Sequence, residues 1–368
     1  MINIACISDL HLGNKRNKTS DIIRNLVKAF PNNDETSKLD IIFLAGDVFD
    51  RLLDYPDDDA MDINIWIYEF LTTCSKFDII VRILEGTPSH DRFQSQAFLN
   101  VSYIAKLPVD LKYVKTLSIE YIDKLDINVL YVPDEWEITT DKTLDQVKDL
   151  LQTKCLQKVD FAIMHGSFDY QIPLHLKKIP KHDSKEYLNI VKHYIFIGHI
   201  HNFTFNDRII AQGSFDRLTH GEEGPKGHVR AIIKNDEREF FFIENKNARI
   251  YKTFKCYALN LEETLIYLRQ AVGFLPDNSC VRVEADKEHI IFSNMNELVS
   301  MYPTITWTKL QKSEDIDEEI IDSDLDDDYT QITINKENIE TLLMYRITSL
   351  NLDSKIVLKS KQLLKDII

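Results

Sequence analysis

Five times within the first 201 residues a short apolar run stops at a small polar cluster that carries Asp or His. Ile2–Ile7 runs into Ser8-Asp9-Leu10-His11-Leu12-Gly13, and Ile41–Leu44 into Ala45-Gly46-Asp47-Val48-Phe49-Asp50. Ile79–Leu84 precedes Gly86-Thr87-Pro88-Ser89-His90-Asp91, Phe161–Met164 precedes His165-Gly166, and Tyr194–Ile197 precedes Gly198-His199-Ile200-His201. Such runs, with Ile127–Val132, read as buried strands. Between the first three, Ile22, Ile23, Leu26, Val27 and Phe30, and then Ile65, Tyr68, Phe70 and Leu71, recur at helical spacing. The strands at Ile209–Gln212, Val229–Lys234 and Glu239–Glu244 have no helix between them, which predicts antiparallel pairing there. The pattern is that of an α/β fold, two packed sheets flanked by helices.

At 368 residues the chain exceeds one ordinary core, and its composition shifts mark the boundaries. Residues 1–247 carry the strand-end series. Residues 248–312 alternate strand and helix patterns and predict a small α+β domain. Residues 313–330 predict a flexible linker, since Ser313 to Asp328 holds ten acidic residues and no basic one. Residues 331–368 read as two amphipathic helices with more apolar surface than a detached pair can bury. A formal charge of −15 excludes a protein that coats nucleic acid by bulk positive charge, but bound cations would not enter that count. The five cysteines are isolated, without a C-x-x-C pair, as expected of reduced thiols in a cytoplasmic protein. No apolar run approaches the ~20 residues a membrane span takes, and the N-terminus lacks the regions of a signal peptide.

Singly, an Asp after a strand is a turn former or helix cap, and a lone His such as His165 is an interior residue. His175, His182, His193 and His289 keep that reading, and His220 and His228 read as surface histidines. The spacing changes the weighing. In Asp9-x-His11 and His199-x-His201, residues two apart can point the same way from an extended segment and grip one ion. With Asp47 and His165 they form a mixed nitrogen and oxygen set that suits Mn, Fe or Zn better than Ca.

These motifs, D-x-H, G-D, an altered G-N-H, H-G and G-H-x-H in that order, resemble the five motifs of calcineurin-like metallophosphoesterases. Asp9–Gly13, Gly46–Asp50 and Gly198–His201, with Gln212–Leu218 and Gly221–Gly227, are similar to the SbcD nuclease branch, which processes DNA double-strand breaks. The resemblance covers roughly residues 1–230. It implies two divalent ions, Mn2+ by preference. Asp9, His11 and His201 would hold the first. Asp47 would bridge to the second, which His165 and His199 would hold together with the residue at the family's asparagine position. Alignment on His90-Asp91 puts Ser89 there, with Thr87 as the alternative. His90 matches the histidine beside the scissile phosphate, and Asp50 and Asp91 would orient histidines from behind, unless they are turn carboxylates.

The same resemblance implies DNA as substrate, a homodimer, and a coiled-coil ATPase of the SbcC type as partner through residues 331–368. Residues 248–312 would cap the site and meet DNA. The acidic charge and the altered third motif suit a bacteriophage version acting in a host cytoplasm. Two other readings stay open: a phosphodiesterase or phosphatase of the superfamily with another substrate, or a scaffold with weakened catalysis.

Overall fold

A computed structural model describes residues 1–312 apart from 54–56, 173–178 and 236. The expected linker at 313–330, the helical pair at 331–368 and His175 lie outside the described residues. In chain order, β1 (Ile2–Ile7), β2 (Ile41–Ala45), β3 (Ile80–Leu84) and β4 (Leu111–Val114) run parallel. Then come β5 (Ser118–Ile122), β6 (Ile127–Val132), β7 (Phe161–His165), β8 (Ile195–Gly198), β9 (Thr204–Asn206) and β10 (Ile209–Ala211). β11 (Gly227–Lys234) and β12 (Glu237–Glu244) return to the first group. Among the described residues this makes two six-stranded sheets, ordered β12-β11-β1-β2-β3-β4 and β5-β6-β7-β8-β10-β9.

The crossovers from β1 to β4 and from β6 to β8 are helices, the usual device for parallel pairing. α1 (Thr19–Ala29), α2 (Asp58–Lys76) and α3 (Gln96–Ala105) link β1 through β4, and α4 (Thr140–Thr153) and α5 (Ser184–Ile190) link β6, β7 and β8. Strand alternation sorts the apolar residues into layers. Ile4, Cys6, Phe43 and Ile80 meet Tyr131, Phe161, Ile163 and Phe196 between the sheets. Their neighbours Ala5, Ile7, Leu44 and Ile83 face outward under Ile22, Leu26, Trp66 and Phe70. On the other side Ala162, Met164 and Ile197 lie under Leu144, Val147 and Tyr187. Strands covered on both faces account for the unbroken apolar runs.

Some expectations need correction. In α2 the buried stripe is Ile63, Trp66, Ile67, Phe70, Leu71 and Cys74, spaced three and four apart, whereas Ile65 and Tyr68 are each 47% exposed. Val27 of α1 is also exposed. β11 and β12 are antiparallel as expected, but β10 pairs parallel with β8 and antiparallel with β9. β4, β5 and β9 are too short or too polar to stand out by pattern.

β13 (Tyr251–Lys255), β14 (Cys280–Asp286) and β15 (Thr306–Lys312) form a third, parallel sheet. α6 (Leu261–Val272) lies between the first two strands and α7 (Met295–Met301) before the third, over a core of Phe254, Leu268, Val281 and Leu298. Asn260 starts α6 with a reciprocal cap to Glu263. Tyr251 ties this sheet to the sandwich through its hydroxyl, which donates to Asn17 Oδ1 at 2.8 Å.

Candidate metal centre

The registers Ile7↔Leu44, Ala45↔Leu84 and His165↔Gly198 bring the carboxyl ends of β1, β2, β3, β7 and β8 together. His165 Nδ1 crosses from one sheet to the other and lies 2.7 Å from the Ala45 carbonyl. Ligand sites at such strand ends are a general property of parallel sheets. Gly46, Gly86 and Gly198 permit the approach, since a Cβ on Gly198 would collide with the Ala45 carbonyl oxygen and fall 2.7 Å from His165 Nδ1. A Cβ on Gly46 would collide with the His165 ring, and one on Gly86 with Asp47.

Asp9, His11 and Asp47 all take left-handed backbone, with φ of 52°, 48° and 50°. The extended D-x-H geometry inferred from spacing is therefore replaced by a tight turn. Asp9 N donates to Gly46 O, Leu10 N and His11 N to Asp47 O, and Leu12 N to Val48 O. The Ser8 hydroxyl donates to Asp9 Oδ2, and His199 N donates to Asp9 Oδ1 at 2.9 Å.

Three groups of ligand-capable atoms result, each within 4.8 Å of one another: Asp9, His11 and His201; His11, Asp47 and His90; Asp47, His165 and His199. His11 and Asp47 each belong to two of them, so the three groups form one chain. His11 Nε2 is 3.3 Å from His201 Nε2, His90 Nδ1 is 3.0 Å from Asp47 Oδ2, and His165 Nε2 is 3.3 Å from Asp47 Oδ1.

The far side of three of the rings is tied. His11 Nδ1 is 3.1 Å from Asp50 Oδ1, His201 Nδ1 is 2.8 Å from Glu222 Oε1, and His165 Nδ1 meets the Ala45 carbonyl. Carbonyls and carboxylates accept, so these Nδ1 atoms carry a proton and Nε2 is the nitrogen that faces the cluster. That is the arrangement of metal-binding imidazoles, and the donor set fits divalent cations.

The electrostatics favour opposite charges on the buried carboxylates and rings that face each other. Burial pushes the Asp47 carboxyl up, but His165, His90 and His11 outweigh it and hold the group well below its ordinary value. Burial opposes a charge on His165, yet Asp47, Asp9 and Asp134 raise it well above its usual value. Asp50 stays below the usual carboxylate range because His11 and Asn14 offset its burial. One side of the centre is open to solvent, where the His90, His199 and His201 side chains are 31%, 41% and 28% exposed.

The turn after β3 answers to its altered motif. Its two ends both reach Asp47: Thr87 Oγ1 lies 3.2 Å and His90 Nδ1 3.0 Å from Asp47 Oδ2. Thr87 N donates to Asp47 Oδ1 at 2.6 Å. Ser89 stands half-buried between them, its carbonyl accepting from Arg92 Nε. Asp91 is fully buried and grips backbone, accepting from Asp47 N, Gly86 N and Phe49 N at 3.0, 2.8 and 2.9 Å. Burial, then Asp47 and Glu85, push its pKa up to about 8.

Several participants escaped the sequence reading. Glu222 holds His201, bonds Lys226 Nζ at 2.6 Å, and is drawn down to about 2, since His201 and Lys226 more than offset burial. Lys226 is buried and donates to the His201 carbonyl at 2.9 Å. The spacing Glu222-x-x-x-Lys226 was a usable signal. Asp134, after β6, lies 3.2 Å from Thr87 Oγ1 and 3.8 Å from His199 Nδ1. Nothing in Pro133-Asp134-Glu135 sets it apart from an ordinary turn. His228, expected at the surface, is buried with its ring 4.9 Å from that of Phe30.

No family model matches the chain, and no curated protein matches it. Among solved structures, the crystal structure of TT1561 of Thermus thermophilus is similar at 12% identity and a TM-score of 0.38. The likeness covers 66% of this chain and 98% of that one. A second solved chain is similar at 13% identity and a TM-score of 0.36, over 66% and 99%. No helix among the described residues is long and apolar enough to cross a membrane.

Proposed function

We propose that the chain is a calcineurin-like metallophosphoesterase that hydrolyses DNA phosphodiester bonds as the nuclease subunit of an SbcCD-like complex. The observation that carries the metal-dependent reading is Asp47, which stands between two His-rich clusters at one strand edge. Asp9, His11 and His201 hold one divalent ion, Mn2+ by preference, and Asp47, His165 and His199 the other. Two such ions supply a nucleophilic water at neutral pH and neutralise charge on the phosphoryl oxygens. Asp50 and Glu222 keep His11 and His201 oriented. His90 sits at the open side against Asp47, placed to stabilise the phosphoryl group or to protonate the leaving oxygen.

The DNA assignment is supported by the SbcD-like segments at Gln212–Leu218 and Gly221–Gly227. The second of these contributes Glu222 and Lys226 behind His201. A second copy of the chain and a coiled-coil ATPase bound through 331–368 complete the proposal. The test is Mn2+-dependent cleavage of single- and double-stranded DNA beside a simple phosphodiester. Wild type should cut DNA, and His90→Ala should lose roughly 10²-fold or more while still binding two Mn2+. Cleavage of the simple ester alone would move the substrate away from DNA. Absence of both activities, with and without the ATPase, would sink the proposal.

A further inference from the structure

The second cluster contains more oxygen than the motifs assign to it. Thr87 Oγ1 lies 3.2 Å from Asp47 Oδ2, 3.2 Å from Asp134 Oδ2 and 3.4 Å from His165 Nε2. One hydroxyl proton cannot serve both the Asp47 and the Asp134 carboxylate at once. Asp134 Oδ2 is also 3.8 Å from His199 Nδ1. Thr87 Oγ1 and Asp134 Oδ2 thus border the cluster of Asp47, His165 and His199, the hydroxyl against Asp47 and His165 and the carboxylate toward His199.

Asp134 is held for this placement. Its Oδ1 accepts from Glu135 N at 2.9 Å, and Oδ2 is the oxygen turned toward Thr87. Gly166 leaves the space beside it open, since a Cβ there would stand 3.3 Å from Asp134 Oδ1. The side chain is 14% exposed.

Resting on the metal-dependent reading above, we propose that Asp134 is a direct ligand of the second cation through Oδ2, with the Thr87 hydroxyl beside it. The pair replaces the amide oxygen that the altered third motif lacks. Each ion then has two carboxylates, with Asp47 common to both, and two imidazoles. The added carboxylate leaves the dinuclear centre one charge less positive than an amide would. It also hardens the second position toward oxygen-preferring ions such as Mn2+ or Mg2+.

The test is Mn2+ binding by calorimetry, with electron paramagnetic resonance reporting the coupled ion pair. Wild type should bind two ions per chain. Asp134→Ala should keep one at unchanged affinity, bind the other at least tenfold more weakly, and lose the coupled-pair signal. Should Asp134→Ala fail to fold, Asp134→Asn, which preserves size and an acceptor for Glu135 N, should weaken the second ion in the same way. Two ions bound at wild-type affinity by the folded variant would overturn the ligand assignment and leave the metallophosphoesterase reading intact. Equal loss of both ions would overturn it too, showing general damage. A wild type that binds no Mn2+ would defeat the underlying reading instead.

Discussion

Three carboxylates in this centre do different work although each follows a strand. Asp9 and Asp47 sit in left-handed backbone, which costs an ordinary residue roughly 1–2 kcal/mol, and His11 shares it. The cost falls on residues whose side chains meet, and the surrounding backbone hydrogen bonds hold them in place. Asp91 instead satisfies three buried backbone N–H groups and so joins the turns after β2 and β3. Removing it orphans all three. Asp91→Ala should therefore lower stability by about 3 kcal/mol or more, read from denaturant unfolding. A loss below about 1 kcal/mol would mean the clamp is dispensable.

At the scale of elements, much was legible because each strand end is a local event. An apolar run, a glycine and an Asp or His fall within six or seven residues, so Asp9, Asp47, His165, His199 and His201 could be singled out without knowing the fold. Asp134 could not. Its partner Thr87 is 47 positions away, and only the packing of one sheet on the other brings them together. The same holds for the turn after β3, where alignment on His90 favours Ser89 while the chain turns Thr87 toward Asp47. The α2 stripe was misread for a related reason: Ile65 and Tyr68 share its hydrophobicity but lie off the face set by Ile63, Trp66 and Phe70. The segment after β10 carries its own prediction. Glu222 orients His201, so Glu222→Gln should weaken Mn2+ at the first position by about 10- to 100-fold and spare the second, as measured by calorimetric titration. Unchanged affinity would remove Glu222 from that role.

For the whole molecule, the two sheets and their helices form the scaffold, and the third sheet stacks its own core beside them. The described residues contain every side chain assigned to the centre, whereas the proposed ATPase contact lies in 331–368. Deleting 331–368 should thus abolish co-purification with the ATPase and leave Mn2+-dependent cleavage in place. Retained co-purification would locate that contact elsewhere. In the proposed centre Asp47 is shared by both cation positions, since it stands with His11 on one side and with His165 and His199 on the other. On that proposal, a substitution at Asp47 would weaken both positions together. Dissecting the centre must start from its outer members, and drift at Asp47 would end both halves of the chemistry together.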